Sequence, residues 1–88
     1  MPERTLRKIV AELHERLERS PELDPETQGA LRRAADEINE TLDEQGANGL
    51  AGELRARLSD ALTRFEGSHP KLTESVKRLV DQLAEMGI

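Results

Sequence analysis

The chain has 88 residues, a net charge of -5, equal 35% shares of apolar and charged residues, and no cysteine. That length holds a single domain, residues 1–88, because each core needs about 50 residues or more to offset the entropy of ordering it. The missing cysteines exclude a disulfide framework, thiolate metal ligation and a thiol nucleophile, and the single aromatic residue, Phe65, leaves an aliphatic core. Apolar residues recur at three- and four-residue intervals throughout, which gathers side chains on one face of an α-helix. The first helix is predicted from Pro2 or Thr5 to Arg19, with Leu6, Ile9, Val10, Leu13 and Leu17 as its stripe, and is ended by Ser20 and Pro21. The second opens on Asp24 as N-cap, with Pro25 at its first position and Glu26 near the positive end of the dipole. Leu31, Ala34, Ala35, Ile38 and Leu42 form its stripe, and the alanines predict close approach of a neighbouring helix.

Gly46, Asn48, Gly49 and Gly52 interrupt the pattern and mark a connection between helices. The third helix is predicted from Leu50 to Glu66, with Leu50, Leu54, Leu58, Ala61, Leu62 and Phe65 on one side and Gly67 as its stop. The fourth begins between Ser68 and Thr73, aided by Pro70, and carries Leu72, Val76, Leu79, Val80, Leu83 and Met86. Three stretches step by four, three and four: Leu6, Val10, Leu13, Leu17; Leu31, Ala35, Ile38, Leu42; and Leu72, Val76, Leu79, Leu83. That step averages about 3.5 residues, the period of shallow-angle knobs-into-holes packing. Short connections make sequential helices antiparallel, so the expected fold is all-α, an up-down bundle of about four helices, with completion of the core in a dimer as the alternative.

Charge is uneven along the chain. Residues 1–44 hold seven basic and twelve acidic side chains, and residues 45–88 hold six of each. Phosphate backbones are bound by concentrated positive charge, so an acidic chain with scattered basic pairs makes a nucleic-acid partner unlikely. Acid-before-base pairs four apart (Glu3 with Arg7, Glu12 with Arg16, Glu15 with Arg19, Glu53 with Arg57, Asp60 with Arg64, Glu74 with Arg78) are expected to brace exposed helix faces. Asp36, Glu37, Glu40, Asp43 and Glu44 crowd the C-terminal end of the second helix, where the dipole disfavours them. They read as a solvated face, with a basic partner as the alternative.

Candidate chemistry is sparse. His14 and Glu18 stand four apart but have no third ligand, whereas catalytic zinc usually takes three protein ligands. His14 therefore reads as a boundary residue, and His69, between Ser68 and Pro70, as a residue that caps or orients a turn; these two are the only histidines to weigh for a functional role. The segment GANGLAG lacks the preceding strand and the closing Lys-Ser/Thr of a phosphate loop. Ser20, Ser59, Ser68 and Ser75 have no recognisable base and orienting acid, so no enzyme, cofactor or metal is expected. The beginning, Met1-Pro2-Glu3-Arg4, lacks the apolar stretch of a secretory signal and no segment reaches bilayer length, which gives a cytoplasmic location and no membrane partner as the expectation.

The two ends, MPERTLRKIVAELHERL and FEGSHPKLTESVKRLVDQLAEMGI, resemble those of a family of short bacterial proteins described as a domain of unknown function 4404. The resemblance covers nearly the whole chain. Its most particular elements are Pro2, Leu13 and His14, the Ser68-His69-Pro70 turn, and the closing Met86-Gly87-Ile88, while GANGLAG departs most. It implies a helical fold and a bacterial source, and no activity.

The expected function is a non-enzymatic helical interaction or scaffold module that assembles with itself or with another helical protein. The seam would be Leu72, Val76, Leu79 and Leu83, with Met86 and Ile88 either tucked into the bundle, the favoured arrangement, or offered to the partner. The competing expectation is an anion or nucleic-acid binder using Arg32, Arg33, Lys77 and Arg78.

Overall fold

The computed structural model describes residues 2–88. Its first stripe winds as α1 (Pro2–Glu18), which ends as expected at the approach to Pro21. Here the Arg19 N–H is shared between the carbonyls of Glu15 and Arg16, at 3.2 and 3.1 Å, the tightening typical of a last helical turn. Two side chains then add a second donor to the last carbonyls of α1, which already accept from the Arg19 and Ser20 N–H groups. Ser20 Oγ donates to Arg16 O at 2.9 Å and Gln28 Nε2, from the next helix, donates to Leu17 O at 3.3 Å. Leu23 in this turn is buried and closes the end of the core.

α2 (Pro25–Glu44) starts on the Asp24 cap: Asp24 Oδ2 accepts from the Thr27 N–H at 3.2 Å and from Thr27 Oγ1 at 3.3 Å, which lets Thr27 be buried. Gly29 lies inside α2, and a Cβ built there meets no atom within 4 Å. Gly29→Ala is therefore expected to raise stability by about 0.5–1 kcal/mol, because only unfolded-chain freedom is lost. Urea unfolding checks it, and a lowered midpoint would contradict the open space at this position.

The helix stops at Gln45, and Gly46 takes φ +74°, a left-handed conformation that glycine adopts without strain. A single 3-10 turn (Ala47–Gly49) follows, and Leu50, buried but extended at φ -72° and ψ 132°, leads out of it. The third helix is shorter than its stripe predicts. α3 (Glu53–Leu62) excludes Leu50 at one end and Phe65 at the other, although both side chains are in the core. Beyond Leu62 i→i-3 turns appear (Arg64 N–H to Ala61 O, Phe65 N–H to Leu62 O) with one i→i-4 bond from the Glu66 N–H to Leu62 O, so the regular α-helix ends before Gly67 rather than at it. Gly67 has no positive φ. α4 (Pro70–Glu85) begins where Pro70 allows and ends near Gly87 at φ +81°.

The four helices form an all-α up-down bundle. α1 packs most extensively against α4, α1 against α2 and α3 against α4 come next, and α2 and α3 meet least. The long dimension of 34 Å is close to the roughly 30 Å that a helix of 20 residues spans, so the helices run along the bundle axis. All of the aliphatic stripes converge in one buried cluster: Leu6, Val10, Leu13 and Leu17 from α1, Leu31, Ile38 and Leu42 from α2, Leu54 and Leu58 from α3, and Leu72, Val76, Leu79 and Leu83 from α4. The alanines of α2 do not produce the tightest helix pair. α3 has 10 residues against the 20 of α2, and where Ala30, Ala34 and Ala61 face one another a groove stays open.

Candidate functional site

The interior contains hydrocarbon and little else. Thr27, Thr73 and Ser75 are the buried polar residues among the described ones, and no buried side-chain nitrogen or oxygen is left without a hydrogen-bond partner. No group of three or more His, Asp or Glu side chains comes together as a metal site among the described residues. Among the described residues no helix is long and apolar enough to cross a membrane.

Three surface depressions are small and open. One of about 100 Å³ lies between α2 and α3 over Ala30, Leu31, Ala34, Leu58 and Ala61, with Arg33 and Arg57 on its sides. It continues into a shallower one of about 220 Å³ along Arg57, Asp60 and Arg64. A third, of about 270 Å³, sits at the end of the bundle between the α1–α2 and α3–α4 turns, lined by Ser20, Glu22, Ser68, His69, Pro70, Lys71 and Leu72. Each is below the roughly 300–1,000 Å³ that small-molecule sites occupy.

The two histidines occupy different seams. His14 is about one-third exposed on the α1–α2 seam, with Nε2 3.5 Å from Asp36 Oδ1. His69 precedes α4, but its side chain does not cap it. It lies across the end of the bundle instead, 16% exposed, with Nδ1 3.6 Å from Glu22 Oε1, so the ring ties the α3–α4 turn to the α1–α2 turn. Both contacts are ionic when the imidazole is protonated. The expected capping role of His69 is thus carried by its backbone: its carbonyl accepts from the Thr73 N–H at 2.9 Å and its N–H donates to Phe65 O at 3.1 Å.

The ion pairs differ from those read along single helices. Of the expected four-apart pairs only Glu15–Arg19 closes, at 2.9 Å. Arg7 reaches Asp43 at 2.8 Å rather than Glu3, and Arg57 reaches Glu37 at 2.7 Å rather than Glu53. Arg64 turns to Glu26 at 3.6 Å rather than Asp60, and Arg78 to Glu12 at 2.9 Å rather than Glu74, which leaves Arg16 without its expected partner Glu12. Residues flanking a core stripe lie next to the neighbouring helix, which brings carboxylates across the seam within reach of these arginines. Arg7–Asp43 and His14–Asp36 stand one heptad apart on both α1 and α2, which marks an antiparallel register sustained over two turns.

Leu72, Val76, Leu79 and Leu83, expected as a seam for a partner, are 2, 0, 0 and 0% exposed within the chain's own core. The correction has a simple cause: α1 and α3 already cover that face of α4. Met86 and Ile88 are half-buried and pack against the core, and the Ile88 N–H donates to Leu83 O at 3.0 Å, the tucked arrangement. Arg32 and Arg33 lie on α2, Lys77 and Arg78 on α4, and these helices are not neighbours in the bundle, so the four do not make one basic patch.

A family model for the domain of unknown function DUF4404 matches residues 6–88. The chain belongs to this family. No curated protein and no solved structure matches it. The family match runs from Leu6 to the last residue of this DUF4404 chain and spans the GANGLAG connection, so the 3-10 turn and Leu50 lie inside the family domain.

Two features of the site had no sequence signal strong enough to find them. Leu23 lies in a turn, outside any helical period, and the α2–α3 groove depends on how two helices sit side by side.

Proposed function

We propose that this DUF4404 chain is a non-enzymatic interaction module of the bacterial cytoplasm that works through its outer surface, with a second copy of itself, or another helical protein, as partner. The observation that carries the reading is the filled aliphatic interior: most of the stripe residues are buried within the chain, with Leu62, Val80 and Met86 partly buried at its edge, and what remains for function is a surface of mixed charge with shallow grooves. Binding of nucleic acid is disfavoured by the net charge of -5 and by the engagement of Arg57, Arg64 and Arg78 in ion pairs with the chain's own carboxylates.

Light scattering over a concentration series tests self-association: the mass is expected to rise above that of the monomer as concentration increases. A strict monomer at millimolar concentration would leave only the heterologous partner. Retention on heparin at low salt, expected to be absent, would instead favour the anion-binding reading.

A further inference from the structure

The exposed side of α2 carries charge in an order that neither the fold nor the single-chain ion pairs use up. Arg32 and Arg33 come first, and Asp36, Glu37, Glu40, Asp43 and Glu44 all follow. Three of those carboxylates are engaged within the chain, Asp36 by His14, Glu37 by Arg57 and Asp43 by Arg7. Arg32, Arg33, Glu40 and Glu44 remain exposed and without an ion-pair partner among the described residues. Arg33 and Glu40 are one heptad apart and so share a face, and Glu40 and Glu44 sit toward the negative end of the helix dipole, with no basic residue in the last turn of α2 to offset them.

We propose that this face of α2 is a two-fold contact with the α2 of a second copy, running antiparallel, in which each Arg33 meets the other copy's Glu40. The proposal rests on the self-association reading above and gives it a surface. A purely basic partner would answer Glu40 and Glu44 but oppose Arg33, and a purely acidic partner would do the reverse. A helix with positive charge ahead of negative is complementary to itself when reversed, and a two-fold contact of that kind closes at two copies. Beside Arg33 the groove is lined by the small side chains Ala30, Ala34 and Ala61 together with Leu31 and Leu58, and Arg57 stands on its opposite side, held by Glu37.

The test uses the full chain in sedimentation equilibrium at low and high salt. The wild-type chain is expected to dimerise at low salt and to dissociate as salt rises. Arg33→Glu and Glu40→Arg each place like charges across the contact twice, and each is expected to weaken the dimer about tenfold or more. An equimolar mixture of the two variants, and the double variant, are expected to associate again, because opposite charges are restored. Both positions are exposed, so helical circular dichroism should be unchanged; if either reversal unfolds the chain, Arg33→Gln and Glu40→Gln serve instead, with a smaller weakening expected. A wild-type dimer unaffected by either substitution, or a mixture that fails to re-associate, overturns this surface while leaving self-association standing. A wild-type chain that stays monomeric at low salt overturns both.

Discussion

Leu79→Ala is expected to cost about 2–5 kcal/mol, the range for removing a large aliphatic side chain from a core that only partly collapses around the gap. Leu79 is fully buried, in the α4 stripe, where α1 and α3 close over it. A domain of this size holds roughly 5–10 kcal/mol in total, so the variant should retain a small part of its stability. In a thermal melt followed by circular dichroism the midpoint should fall by more than about 10 °C. The shift should also be the same at low and high protein concentration, since the lost contacts are within one chain. A loss under 1 kcal/mol, or one that grows on dilution, would place Leu79 at an interface between chains and contradict the bundle described here.

Gly49→Ala should destabilise by about 1–3 kcal/mol, the cost of forcing an extra carbon into a filled space. A Cβ at Gly49 would stand 2.8 Å from Gln45 Cβ and 2.9 Å from Thr41 Cγ2. Gln45 Oε1, at 2.7 Å, can swing away, but the other two atoms are fixed close to the backbone of α2 and its cap. Relief therefore requires the 3-10 turn to move, and Leu50, which follows it, would be drawn from the core. Urea unfolding with an unchanged midpoint would show that the turn yields freely. The contrast with Gly29→Ala is a useful internal check, because the two substitutions add the same methyl group and are expected to change stability in opposite directions.

The ion pairs give the bundle direction rather than much stability. Exposed pairs are worth about 0–1 kcal/mol each, so even the shortest, Arg57–Glu37 at 2.7 Å, contributes little to the folding free energy. Their placement matters more. Pairs on the α1–α2, α2–α3 and α1–α4 seams favour one antiparallel register.

The sequence by itself determined the helices, their stripes and the N-terminal cap of α2, because each depends on neighbours within a few residues: the period of Leu and Val, the Asp24-Pro25 pair, the left-handed turn at Gly46. It also carried the family resemblance, through its two ends. Which side of each stripe meets which helix was decided only in the tertiary structure. The α4 stripe reads equally well as a seam for another molecule, and only the packing of α1 and α3 over it makes it the core of this one. The same holds for the charges. A carboxylate four residues back and one on the next helix are equivalent in sequence, and the rotation and register of two packed helices choose between them, as they do for Arg7, Arg57, Arg64 and Arg78.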